Sequence, residues 1–431
     1  MLRLILISCL MGMGSMLIQP GSASAQSLKE AIELAYANNP QLAAQREATV
    51  QSTEQITQAR SFRRPSVTAS GSYGFESVDS NRPFGVETGE RAVAQAQVEA
   101  SLPIYTGGRL KAGIRQAEAG YTAALAELEA EVQSLLLNTV IAYMDVSRDR
   151  DTIAIRENSV ALLTQQLTAA QDRFEVGVVT RTDVAQAEAR LEGTRAALAG
   201  AQSSLEASIA NYIIQVGELP GRLDPRVPVP VLPETREEVL QLALQDSPEL
   251  LAARAAERAA EEAIRVAESE LKPTVAIVGT ARAQETYDEN FRDTSLTAVA
   301  QASVPLFQGG LLRSQVRSAK SQRDQARLQR DVLTRQIRAQ VAQAWYGHLA
   351  ALQAIEASKR QIQAAEIAYE GAQEELSVGV RTTLDVLDQE QQLLDARLSL
   401  VESQRDAVVS AYQVLRVSGQ LDLSVFAIES R

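Results

Sequence analysis

The chain is short of the side chains that do most enzymatic chemistry. Of its 431 residues one is cysteine, Cys9, and one is histidine, His348. A lone cysteine excludes an internal disulfide and a cysteine-rich zinc site, and a lone histidine excludes any centre built on two imidazoles. Acid–base catalysis loses its commonest agent. Basic residues are outnumbered, 42 against 54, which leaves a formal net charge of -12. No basic stripe is present to displace phosphate counterions, so no nucleic-acid partner is expected. Past the first 25 residues, no apolar run reaches the roughly eighteen residues of a membrane-spanning helix. A strand barrel leaves a fainter trace than that and stays open.

What is present begins with an address. Arg3 is the only charge before a long apolar run, and Ala23-Ser24-Ala25 offers small residues for cleavage before Gln26. The pattern predicts a secretory signal peptide over 1–25. Leu6-Ile7-Ser8-Cys9 loosely resembles a lipobox, which is the alternative, but only eight residues precede Cys9 and the apolar run continues to Ile18. Removing Arg3 takes the charge from -12 to -13, one positive charge fewer, and Cys9 leaves as well.

The rest is written twice. Val176–Val184 reads VGVVTRTDV, and the stretch from Val378 reads VGVRTTLDV, an offset of 202. At the same offset Leu102-Pro103-Ile104-Tyr105-Thr106-Gly107-Gly108 matches Val304-Pro305-Leu306-Phe307-Gln308-Gly309-Gly310, and Ala142-Tyr143 matches Ala344-Trp345. Earlier in each half, Asn39-Pro40 aligns with Ser247-Pro248 and Arg64-Pro65 with Lys272-Pro273, at 208. The six-residue change therefore lies between Pro65 and Pro103, as in a resized surface loop. The expected organisation is a first repeat over 26–235 and a second over 236–431.

Each repeat opens with a helical pattern that runs to Arg63 or Leu271, broken near Asn39-Pro40 and Ser247-Pro248 because proline disfavours helix in the residue before it. Period two follows. Val67, Ala69, Tyr73 and Phe75 alternate with small polar residues, and Ala92, Ala94, Ala96, Val98, Ala100 and Leu102 alternate with Gln95, Gln97, Glu99 and Ser101. Val275, Ile277 and Gly279, then Leu296, Ala298, Ala300, Ala302 and Val304, repeat the scheme. Strands are expected over about 65–75, 91–103, 273–283 and 295–305, with ESVDSNRPFGVETGE and QETYDENFRDT as exposed loops. About 9–11 alternating residues suit a tilted bilayer-crossing strand, and a soluble sandwich hairpin with one wet face is the other reading. Four strands cannot close a barrel, so strands that span a membrane require several copies, whether two, three or four.

After Gly107-Gly108 the helical period returns and holds without proline. Helical hairpins are expected over about 109–217 and 311–418, the first arm being roughly 100 Å long at about 1.5 Å per residue. Alanine-rich, charge-laced helices of this length suit coiled coils or helical barrels. Gly177 and Gly379 fall where a left-handed residue ends a helix, Thr180 and Thr382 suit the N-cap of the returning helix, and Asp183 and Asp385 lie in its first turn. Arg381 and Asp388 go beyond capping, because their partners at the 202 offset are Val179 and Gln186. Asp385 and Asp388 share a helix face, where carboxylates from several copies would ring and charge a pore. A solvated surface role for Asp388 is the plainer alternative. Trp345, Tyr346 and His348 suit helix packing.

The tandem halves, the paired P-[IL]-[YF]-x-G-G segments and the VGxxTxxDV turns together resemble the TolC family of bacterial outer-membrane export channels, over essentially the whole chain after residue 25. The resemblance implies a mainly α protein with a membrane β-barrel: a homotrimer in which each chain gives four strands to one twelve-stranded barrel in outer-membrane lipid. The long helical hairpins would form an α-barrel tunnel across the periplasm. It implies partners too, a periplasmic adaptor protein and an inner-membrane transporter docking at the hairpin tips, Gly177, Val178, Thr180, Gly379, Val380 and Thr382. By the same resemblance Asp385 and Asp388 form the pore constriction, and Asp183 and Arg381 join bonds that lock the entrance. Leu376 departs from the pattern, since some members carry a tyrosine there, which implies a weaker lock. The function implied is passive export, with no cofactor and no catalysis. A periplasmic adaptor and an envelope-anchored structural coiled coil are the competing readings; the first has one hairpin rather than two, and the second leaves four alternating segments unexplained.

Overall fold

The computed structural model describes residues 25–82, 85–286 and 291–428. The expected signal peptide therefore lies outside the described residues, Ala25 excepted, as do 83–84 and 287–290 of the two expected loops. In chain order the first elements are helices α1 (Leu28–Asn38) and α2 (Pro40–Ser61), strands β1 (Ser66–Arg82) and β2 (Gly85–Tyr105), and helices α3 (Arg109–Glu175) and α4 (Arg181–Val216). The series then recurs as α5 (Arg236–Asp246), α6 (Pro248–Ser269), β3 (Thr274–Thr286), β4 (Phe291–Ser303), α7 (Leu311–Ser377) and α8 (Thr383–Ser418). The break after α1 has a local cause. Asn39 is extended, at φ -70° and ψ 120°, and its Oδ1 accepts from the amides of Gln41 and Leu42 at 2.9 and 3.1 Å, while Pro40 starts the next helix with no N–H to satisfy.

The strands are longer than the alternation suggested, and the pairing corrects the expected loops. β1 and β2 stay in register to Arg82↔Gly85, so most of ESVDSNRPFGVETGE is strand. In the second hairpin, strands expected at 273–283 and 295–305 run over Thr274–Thr286 and Phe291–Ser303, leaving Val304 and Pro305 outside. Hydrophobic alternation records only the stretch where one face meets an apolar medium. A polar strand wet on both faces continues the same backbone ladder without that signature.

All four strands form one antiparallel sheet in the order β1-β2-β3-β4. The register gathers most of the large apolar residues of the strands on one face: Phe75 opposite Ala92, Val98 opposite Ala281, Leu102 opposite Ile277, and Ala281 opposite Leu296. Ser70 opposite Gln97, Gln97 opposite Arg282 and Thr280 opposite Thr297 mark the other face. The chain leaves the apolar face uncovered, with Phe75 81% and Leu296 87% exposed. Its run from Ala92 to Leu102, at about 3.3 Å per residue and tilted about 45°, rises roughly 25 Å, the height of the lipid-facing band of a membrane barrel.

The main core lies where the helices meet, midway along the molecule. Leu28 and Ile32 of α1, Leu136, Val140 and Tyr143 of α3, Tyr212 of α4 and Tyr412 of α8 are buried together. The Tyr143 hydroxyl lies 2.8 and 2.9 Å from the carbonyl oxygens of Gln26 and Asp224, and Tyr412 donates to the Pro228 carbonyl at 2.8 Å. The connection from α4 to α5 is thereby pinned across the waist. His348 is also structural, with Nδ1 3.0 Å from Ser410 Oγ between α7 and α8. At the other end of α3, Gly107 turns strand into helix at φ +63°, where an added Cβ would lie 2.7 Å from the Ser269 carbonyl oxygen.

Candidate functional site at the hairpin tips

Each hairpin turns by the same hydrogen bonds. After α3, Gly177 sits at φ +77°, its amide bonds the Phe174 carbonyl at 2.9 Å, and the Val178 amide reaches back to Arg173 at 2.9 Å. After α7, Gly379 sits at φ +79°, its amide bonds Leu376 at 3.1 Å, and Val380 reaches Glu375 at 2.9 Å. These bonds satisfy carbonyls that the helix end would leave bare, and the positive φ is why glycine is required there. Thr180 and Thr382 then cap α4 and α8. The Asp183 carboxylate accepts from the backbone and hydroxyl of Thr180, both at 2.8 Å, and Asp385 does the same for Thr382 at 3.0 and 2.7 Å. The Thr382 backbone bond foremost, with its hydroxyl and the nearby Arg381 charge, holds the Asp385 carboxyl below its ordinary range.

The singled-out charges are not brought together as one cluster. Within the chain Asp183 serves its own cap, while Arg381 pairs through Nε with Glu375 across its own turn. Asp388 turns to Arg190 on α4, its Oδ1 2.5 Å from Nη2, and so ties the second hairpin to the first. Arg190 went unnoticed in the sequence, although the repeat could have shown it: its partner at the 202 offset is Gln392, just as Gln186 answers Asp388. A small apolar contact of Leu163, Leu191 and Leu387 supports the same α3–α4–α8 junction.

Beneath this pair Glu390 is buried at the junction. Its Oε1 accepts from Ser159 at 3.4 Å, and Gln166 of α3 donates to Tyr369 of α7 at 3.3 Å beside it. Burial raises the Glu390 carboxyl to about 7, against smaller opposing effects of Ser159, Gln166 and Arg190. Its repeat partner Glu188 is also glutamate, so repeat comparison carries no signal for it. Among the described residues no group of three or more His, Cys, Asp or Glu side chains could hold a metal ion. No described helix is long and apolar enough to cross a membrane.

A family model described as outer membrane efflux protein matches residues 31–211 and 239–420. The chain is similar to the outer membrane efflux protein BepC of Brucella suis biovar 1, being 32% identical over 403 residues that cover 93% of this chain and 87% of that one. It is also similar to the outer membrane protein TolC of Vibrio cholerae serotype O1, 27% identical over 92% of this chain and 91% of the relative. Its fold matches the Campylobacter jejuni CmeC outer membrane channel with a TM-score of 0.82, over 92% of this chain and 87% of the other at 17% identity. A sheet with one bare apolar face, long helical hairpins and these matches lead to one conclusion: the chain belongs to the outer membrane efflux protein family and is an outer-membrane export channel.

Proposed function

We propose that three copies close a twelve-stranded barrel in the outer membrane, and that their hairpins form a periplasmic tunnel through which cargo moves passively. The single observation that carries this is the open sheet. β1 and β4 are edges without partners among the described residues, yet the face they belong to is apolar and uncovered. An open edge in lipid costs several kcal/mol per bare backbone group, so only closure with further copies makes the sheet stable there. The organisation proposed is a signal peptide over 1–25 and two repeats, 26–235 and 236–431, that supply alternate staves.

The tips are the entrance. Val176, Val178, Val378 and Val380 are each more than two-thirds exposed, an uncommon accumulation of bare valine on two adjacent turns. That favours docking of a periplasmic adaptor, and behind it an inner-membrane transporter, on the segments around Gly177, Val178, Thr180, Gly379, Val380 and Thr382. In a trimer Asp385 and Asp388 bring up to six carboxylates to the constriction. Arg381 and Asp183 are the locking residues: the Arg381–Glu375 contact is nearly half-exposed, worth about 0–1 kcal/mol, and easily exchanged for a carboxylate of a neighbouring copy. The duct itself performs no catalysis.

Single-channel recording of the purified protein in a planar bilayer tests this. Small cation-selective currents are expected, and Asp385→Ala with Asp388→Ala should raise conductance and weaken block by multivalent cations. Block that is unchanged in the double variant removes these aspartates from the constriction.

A further inference from the structure

The two hairpins share few charged contacts. Among the described residues, ion pairs join α3 or α4 to α8 at two places: Asp145 with Arg405 near the tyrosine waist, 2.8 Å apart, and Arg190 with Asp388 close to the tips. The second pair is set in place by apolar neighbours. Leu191 follows Arg190 in α4, Leu387 precedes Asp388 in α8, and both are buried against Leu163 of α3. That contact fixes how α4 and α8 are rotated against each other, and the rotation carries the guanidinium to the carboxylate. The counterparts of the two residues in the repeat, Gln392 and Gln186, are neutral. Both departures from the repeat are charged, they have opposite signs, and they meet.

The two aspartates of α8 therefore differ in their surroundings. The Asp385 carboxylate accepts from the amide and hydroxyl of Thr382, neutral donors that leave its charge in place. Arg381 lies nearby but is already paired with Glu375. Asp388 has a cation of its own, with Arg190 Nη2 2.5 Å from Oδ1. Both side chains of that pair are partly exposed, so it faces water rather than a closed core. Such a pair is held weakly, yet the field it presents to a passing ion depends on where its charges sit and not on how tightly they are held. Opposite charges this close largely cancel for an ion several ångströms away.

We propose that Arg190 is a positioning residue of the constriction: it holds the Asp388 carboxylate and neutralises it, so that Asp385 supplies the net charge a cation meets while the hairpins are in contact. The inference rests on the constriction proposed above and lowers its charge, since one of the two carboxylates in each copy is matched by a guanidinium. Carboxylate and guanidinium belong to different hairpins. Moving α8 away from α4 removes the counter-charge, which makes the entrance more attractive to cations as it widens.

Magnesium block of single channels, with reversal potentials in a salt gradient, tests this on the full-length protein. Arg190→Gln leaves the leucine contact in place and unmasks Asp388. The magnesium concentration for half-block should fall by about tenfold, the order expected for a divalent ion meeting one restored charge per copy in water and salt, and cation selectivity should rise. Asp388→Asn leaves Arg190 without its carboxylate and should shift both readings the other way. Combining the two substitutions should bring the readings back towards the native values, and Arg190→Lys, which keeps the charge, should rescue them as well. Opposite shifts from the two single variants are the signature. A pair that merely braced the hairpins would loosen the entrance in both, raising conductance and weakening block. Shifts of the same sign overturn the inference, and so does an Arg190→Gln channel that blocks like the native one while Asp388→Asn differs. Asp385→Ala separates this failure from that of the constriction. Weaker block in Asp385→Ala means that the constriction stands without Arg190, whereas block unaltered in both Asp385→Ala and Asp388→Asn removes the constriction and the role of Arg190 together.

Discussion

Glu390 shows how one buried carboxyl can make a junction sensitive to pH. Its Oε2 and the Gln166 Oε1 beside it are both buried acceptors without a donor. Neutral Glu390 carries a proton that the ionised form lacks, and protonation removes the charge that burial penalises. Arg190 of α4 and Tyr369 of α7 are the titratable groups facing it from other elements, and Asp388 on its own helix is engaged with Arg190. Since folding raises this carboxyl from 4.5 to about 7, the native state holds the proton more tightly than the unfolded chain. Stability from this site is therefore full below the lower value and declines as pH rises through the upper one. Glu390→Gln keeps a donor at that position and does not titrate. Thermal melts at about pH 5 and pH 8 should show a smaller loss of Tm in the variant than in the native protein, and equal losses would remove Glu390 as the source. The Arg190–Asp388 pair is a different case. With side chains 40% and 48% exposed it should contribute only about 0.2–1 kcal/mol, so a double-mutant cycle with alanine should read a coupling of that size, shrinking in high salt.

At the scale of elements, the sequence disclosed what depends on local chemistry. Gly379, Thr382 and Asp385 form a turn from residues within seven positions of one another, and the helix ends fell within about two residues of expectation. The Arg190–Asp388 contact was hidden because it depends on how α4 and α8 are rotated against each other across almost 200 residues. Repeat comparison marks Asp388 and Arg190 each as departing from its counterpart, Gln186 and Gln392, but not that the two meet. Strand ends were misjudged for a related reason, since alternation stops at the edge of the apolar band while pairing continues to Arg82↔Gly85. The turn yields its own prediction. Gly379→Ala forces a Cβ into φ +79°, and Thr382→Ala removes a cap. Each should cost about 1 kcal/mol locally. Hydrogen exchange should speed up in the last turn of α7 and the first of α8, leaving the Tyr143–Tyr412 core unchanged; protection that is unaltered at the tips would mean the turn is held by something else.

Across the whole molecule, a repeated chain solves two different problems with one plan. Above, four strands bury a backbone ladder and leave one face for lipid. Below, helices of 67 residues, about 100 Å long, paired with returning helices of 36 residues, carry the lumen away from the membrane. Between them Gly107 and the tyrosine-pinned waist fix the relation of barrel to tunnel. The membrane reading makes a sharp demand on neighbouring residues of β4. Ala300 shares the apolar face with Ile277, and Gln301 lies on the opposite face beside Ala276. Ala300→Lys places an ammonium in lipid and should cost about 2–4 kcal/mol per copy near the midplane, whereas Gln301→Lys points into the lumen and should leave stability nearly unchanged. Refolding into vesicles under a urea gradient would read the difference, and bilayer recording of the Gln301 variant should show weaker cation selectivity. Equal penalties at both positions would mean that neither face meets lipid, which a soluble sheet would produce and a barrel wall would not.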